Sequence, residues 1–131
     1  MTTSVLCFFD INTAYLEKKD LHARKSRMLK GEKRLLCMHC RQFITHESDS
    51  VVINGQHIHT CMNPGGYEYT FGCYLQAPGC LAVGGATFDH TWFANYNWRI
   101  AICSGCHEHM GWLFSNEEHF FALIQEKLVR D

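Results

Sequence analysis

The sequence lacks an excess of charge of either sign. Twelve Lys and Arg stand against thirteen Asp and Glu, a formal net charge of −1, whereas a dedicated nucleic-acid binder is usually strongly basic. Long apolar runs are also missing. No stretch approaches the roughly eighteen apolar residues that suggest a membrane span. The short patch Val5-Leu6-Cys7-Phe8-Phe9 has no basic leader before it and is too brief for a secretory signal. Nucleic acid and membrane are therefore excluded as expected partners, and the expected location is cytoplasmic, where thiols stay reduced. Solenoid repeats and low-complexity tracts are absent too.

What is present is a chain of 131 residues, 47% apolar and 13% aromatic. That is enough for one domain with a real core. Small domains bury a modest fraction of their surface, so a metal staple would help this one. Charge is unevenly placed: residues 1–36 hold eight of the twelve basic residues against four acids. This predicts a basic extension over residues 1–35, helical from Thr13 to Lys30 with Gly31 as its stop, and a globular domain over 36–131. The run Arg24, Lys25, Arg27, Lys30, Lys33, Arg34 reads as a solvated face.

From Cys37 onward the texture is short strands and turns. Val51 to His59 reads as a hairpin around Asn54-Gly55. Asn63-Pro64-Gly65-Gly66, Ala77-Pro78-Gly79 and Gly84-Gly85 read as turns. Tyr67 to Phe71, Trp98 to Ile102 and Met110 to Phe114 are expected strands. The end is expected to be a helix. Ser115 and Glu118 have capping-box spacing, and Phe120, Phe121, Ile124 and Leu128 supply its buried stripe.

Eight cysteines in a reduced compartment point to metal before disulfides. Two Cys-x-x-Cys pairs stand out, Cys37-Met38-His39-Cys40 and Cys103-Ser104-Gly105-Cys106. Two intervening residues let both sulfurs of a knuckle face one ion, and two knuckles close a tetrahedron of thiolates that favours one structural Zn²⁺. A closed shell leaves no position for a substrate water. Cys7, Cys61, Cys73 and Cys80 are unpaired in pattern and read as buried or free thiols. His57 and His59 share a face of a predicted strand, with packing as the expected role rather than a second metal.

All three tryptophans, Trp92, Trp98 and Trp112, lie within 21 residues. Clustered indoles form either a core or an aromatic box for one small ring or one cation. In order along the chain come the first Cys pair, Asn63-Pro64-x-Gly66, His90-x-Trp92-Phe93, Tyr96-x-Trp98, the second Cys pair and His109-x-Gly111-Trp112-x-Phe114. This ordered set, from about Leu35 to Leu128, resembles the thalidomide-binding (CULT) domain family of cereblon, including its small single-domain bacterial relatives.

The resemblance implies a mainly β fold of two antiparallel sheets set at an angle, pinned by a four-cysteine zinc site. It implies a cage of Trp92, Trp98 and Trp112 floored by Phe114, with Asn63 and Pro64 at the rim and His90 meeting the ligand. Its implied ligands are cyclic imides, chiefly glutarimides and C-terminal cyclic imides on proteins, and uridine-like rings. The implied activity is binding without catalysis, by a monomer. Ala94-Asn95 departs from the family's Gly-containing turn, and Asn is expected to take the left-handed conformation there. The ubiquitin-ligase segments of cereblon have no counterpart in this sequence. Two rival readings remain. Cys-x-x-Cys-x-x-His-x-Gly also resembles methionine-R-sulfoxide reductases, although no Cys follows the motif. An aromatic cage can also read methylated ammonium groups.

Overall fold

The computed structural model describes residues 33–131; the expected helix over Thr13–Lys30, the basic run before Lys33 and Cys7 lie outside them. Among the described residues nine strands follow one another: β1 (Arg34–Cys37), β2 (Phe43–His46), β3 (Ile58–Met62), β4 (Glu68–Tyr74), β5 (Cys80–Thr87), β6 (Asn97–Cys103), β7 (His109–Ser115), β8 (His119–Ile124) and β9 (Leu128–Arg130). Single 3-10 turns occupy Glu47–Asp49 and Gln125–Lys127. The strands form two antiparallel sheets, β2-β1-β9 and β3-β4-β8-β7-β6-β5. This is the mainly β, two-sheet architecture expected.

The expected C-terminal helix is not there. Ser115 to Glu118 is instead the turn of the β7–β8 hairpin. The Asn116 N–H donates to the Glu118 carbonyl at 2.8 Å, and the Glu118 N–H donates to Asn116 Oδ1 at 2.8 Å. The polar residues that resemble a capping box serve a tight turn. The following Phe120-Phe121-Ala122-Leu123-Ile124 misleads because β8 is buried on both faces. Phe120, Ala122 and Ile124 enter one core cluster, while Leu123 and Phe121 enter the other. A strand covered on both sides is apolar at every position, and periodicity then does not separate it from a buried helix.

One other expected turn is reassigned, and one expected hairpin forms its turn but not its ladder. Gly84 and Gly85 lie inside β5, where the β5–β6 register is irregular between Val83 and Thr87. Gly84 takes φ 77°, which suits a bulge in a strand. The Asn54-Gly55 turn forms as expected, with φ of 55° and 87°, but its arms make only one bridge, Ile53 to Gln56. They pair with β4 instead: the Val51 N–H donates to the Cys73 carbonyl and the Cys73 N–H to the His57 carbonyl. At Asn95 the expected left-handed conformation is adopted, at φ 72°.

The larger core cluster packs Phe71, Phe93, Phe114 and Phe120 with Trp92 and Trp112 on one face of the six-stranded sheet. The smaller one, with Leu35, Ile44, Tyr74, Met110 and Leu123, joins the two sheets. A close approach is built in where the turn at Gly79 meets β2. A Cβ on Gly79 would lie 1.8 Å from the Phe43 carbonyl oxygen, so only glycine lets that turn sit against the strand.

Candidate functional site

Cys37 ends β1 and Cys103 ends β6, so each knuckle hangs from a different sheet. The knuckles repeat one construction. In the first, the Cys37 N–H donates to the Gln42 carbonyl and the Arg41 N–H to the Cys37 carbonyl, both at 2.8 Å. In the second, the Cys103 N–H donates to Glu108 and the His107 N–H to Cys103, both at 2.9 Å. Arg41 and His107 turn the chain with φ of 68° and 66°. Gln42 Nε2 donates to Ser104 Oγ at 2.9 Å and ties one knuckle to the other.

The four sulfurs of Cys37, Cys40, Cys103 and Cys106 all lie within 4.8 Å of one another. Cys37 Sγ is 3.7 Å from Cys106 Sγ, and Cys40 Sγ is 3.6 Å from Cys103 Sγ. Zinc–sulfur bonds of about 2.3 Å in a tetrahedron place sulfurs about 3.8 Å apart. The Gly105 N–H points at Cys103 Sγ at 3.3 Å, as a thiolate needs. The donor set and spacing fit one structural zinc ion.

The remaining described cysteines are inert in this setting. Burial pushes the Cys80 thiol up to about 12 and the Cys73 thiol higher still. Cys61, expected as a thiol, is fully buried and disulfide-bonded. His59 is a core residue, stacked on Phe71 at 5.7 Å, and burial lowers its pKa.

On the large-core face is a cavity of about 310 Å³ lined by ten residues. Seven of them are the predicted ones: Asn63, Pro64, His90, Trp92, Trp98, Trp112 and Phe114. The cross-strand register explains their meeting. Trp98 faces Phe114 and Ile100 faces Trp112 across β6 and β7, so alternate residues of both strands line one side. Trp92 arrives from the loop before β6 and stacks on Phe71 at 5.5 Å and 9°. Its edge meets Trp112 at 4.8 Å and 76°, a favourable edge-to-face pairing. The Trp92 indole N–H donates to the Met62 carbonyl at 3.0 Å.

Tyr69, Ile100 and His109 complete the lining, and sequence patterning missed all three. Tyr69 and Ile100 sit on predicted strands, and only the register shows which way they face. His109 is odd-numbered, whereas Trp112 and Phe114 are even. The β6–β7 pairing slips between Ala101 and Ile102, leaving Met110 unpaired between His109 and Gly111. That bulge turns Met110 into the smaller core and puts His109 on the cavity side. The His109 Nε2–H donates to the Gly111 carbonyl at 3.1 Å, and its ring stands edge-on to Trp112 at 5.0 Å. Burial lowers the His109 pKa, so the ring holds its neutral form further into acid.

At the cavity rim, His90 takes the left-handed φ of 56°. Among the described residues neither its carbonyl nor the Trp92 backbone N–H has a hydrogen-bond partner. An acceptor and a donor without a partner among the described residues thus belong to two residues that both line the cavity.

No family model matches the sequence. Comparison with curated proteins returns cereblon. Protein cereblon of Drosophila persimilis is 30% identical over 94 residues, covering 70% of this chain and 15% of that protein. Protein cereblon of Gallus gallus is 37% identical over 74 residues, 52% of this chain and 17% of its own length. That of Danio rerio is 39% identical over 54 residues, 41% of this chain and 12% of its own. The chain carries a cereblon-like (CULT) domain. The cereblon-like domain spans less than a fifth of the length of these relatives, so their whole-protein activities do not transfer with it. Among its described residues no helix is long and apolar enough to cross a membrane.

Proposed function

We propose that the cavity is a non-enzymatic binding site for a neutral cyclic imide, of the glutarimide kind, or a uracil-like ring. The observation that carries this reading is the pairing of a small aromatic cavity with an open hydrogen-bonding edge at His90 and Trp92. At about 310 Å³ the space lies at the lower end of ligand pockets, which run from ~300 to 1,000 Å³, and suits a single ring. A cyclic imide presents acceptor, donor, acceptor along one edge. The Trp92 N–H, the His90 carbonyl and the His90 imidazole supply the complement. The ring methylenes then rest against the indoles.

A methylammonium reader fits less well. Cation cages pair aromatic faces with negative charge, and no carboxylate is among the lining residues. The test is a side-by-side titration followed by tryptophan fluorescence. Glutarimide is expected to bind with micromolar affinity, about −8 kcal/mol. N-methylglutarimide is expected to fail, because it has no N–H for the His90 carbonyl, and trimethyllysine to leave the signal unchanged. Equal binding of the N-methyl compound would refute the edge, and preference for trimethyllysine would refute the imide reading.

Absence of catalysis is part of the same proposal. Sulfoxide reduction needs an accessible, low-pKa thiol. Outside the metal cluster, the described cysteines are Cys73, buried, and Cys80, half-buried, both with raised pKa values, and Cys61, locked in a disulfide. Incubation with methionine sulfoxide and dithiothreitol is expected to give no methionine above the protein-free rate. Turnover lost on replacing Cys73 or Cys80 would contradict this.

A further inference from the structure

Thr87 and Trp98 are cross-strand partners, the last pair of the β5–β6 ladder. Their side chains close on a single residue of the loop beyond β5. Thr87 Oγ1 accepts the Asp89 N–H at 3.0 Å, and the Trp98 indole N–H donates to the Asp89 carbonyl at 2.8 Å. Both polar groups of the Asp89 backbone are thus held by one rung of the sheet. The next residue is His90, in the left-handed region that non-glycine residues seldom occupy. The turn carrying it is otherwise closed by one longer contact, the Thr91 N–H donating to the Phe88 carbonyl at 3.2 Å.

We infer that Thr87 and Trp98 form a pincer that presets the hydrogen-bonding edge at His90, making both positioning residues for the ring proposed above. The inference rests on that binding reading for its functional consequence, but not for its geometry. Trp98 has two separable jobs. Its face is a wall of the cavity, and its N–H orients the edge opposite. A phenylalanine keeps most of the wall and loses the clasp. Thr87 does not line the cavity, so its hydroxyl acts on a ligand only through Asp89 and His90. An edge fixed before binding spares the ligand the cost of ordering the loop, and backbone strain of this kind persists only where the surroundings over-determine it. The pincer supplies that constraint at the residue just before the strained one.

Thr87→Val and Trp98→Phe separate these roles, with zinc content and circular dichroism confirming that each variant is folded. In the ligand-free state, hydrogen exchange at the Thr91 amide is expected to quicken about tenfold in both variants, because the turn it closes has lost a clasp. Glutarimide affinity is expected to fall about threefold to tenfold in Thr87→Val. The weak binding of cyclohexane, a ring of similar size with no hydrogen-bonding group, should not change in that variant, since the walls are intact. The double variant should lose less than the product of the two single effects, as residues acting on one peptide group do. Unchanged Thr91 exchange in both variants overturns the pincer, as does wild-type glutarimide affinity in Thr87→Val. Should the wild-type protein ignore glutarimide, the binding reading fails while the exchange measurement still decides the pincer.

Discussion

Cys103→Ser is expected to abolish the fold rather than weaken it. Cys103 is fully buried and sits where β6 of the large sheet hands over to its own knuckle, whose sulfurs cluster with those of the knuckle that follows β1 of the small one. The two Cys pairs are separated by 62 residues, so the ion clamps a long-range contact. Structural zinc in small domains contributes roughly 10–16 kcal/mol of apparent binding energy, which matches or exceeds the ~5–15 kcal/mol net stability of a whole domain. Purified protein should contain one zinc per chain by elemental analysis, and a strong chelator should collapse the near-ultraviolet circular dichroism. Acid should release the ion as well, because the ligands must be thiolates. A folded, reduced sample free of metal would contradict the assignment.

Gly111→Ala is expected to be nearly as damaging, for a different reason. A Cβ at Gly111 would lie 1.9 Å from the Ala122 carbonyl oxygen and 2.9 Å from its carbon. Both contacts are with backbone of the neighbouring strand β8, which has no rotamer by which to retreat. Gly111 closes the bulge at Met110, and that bulge is what lets Met110 enter the smaller core while His109 and Trp112 share the cavity. The substitution must push β7 from β8 or undo the bulge, at a cost of about 3 kcal/mol or more. Denaturant unfolding of the zinc-loaded variant measures this, and glutarimide binding should fall with it because Trp112 moves. A loss below about 1 kcal/mol would mean that the two strands separate easily, against the buried packing on both faces of β8.

The contrast between these residues shows how far the sequence carries. Two Cys-x-x-Cys pairs announce a tetrahedral thiolate site because the ligand spacing is itself the chemistry. The tryptophans were visible as a group, and the expected strands around Trp98 and Trp112 fall within β6 and β7. The turn conformations at Asn54, Gly55 and Asn95 followed from which residues tolerate positive φ. Elsewhere local signals pointed the wrong way. Ser115 to Glu118 suits a helix cap and a hairpin turn equally, since both reward a short polar side chain that bonds backbone N–H groups. The Gly84-Gly85 pair suits a turn and a bulge equally, since both need an unusual φ.

By itself, then, the sequence determined the metal ligands, the grouping of the three tryptophans with Phe114 and a β-rich chain from Cys37 onward. These rest on residue type and on spacings of a few residues. Only the tertiary structure decided that β8 is a strand, because its two apolar faces acquire meaning only when one meets the large core and the other the small one. Only the cross-strand pairing decided that Tyr69 and Ile100 face the cavity, and only the unpaired Met110, which reverses the alternation beyond it, put His109 there. The clasp of Thr87 and Trp98 on Asp89 likewise belongs to the sheet. Residues 87 and 98 are distant in sequence, and a cross-strand pair exists only once the β5–β6 ladder has closed.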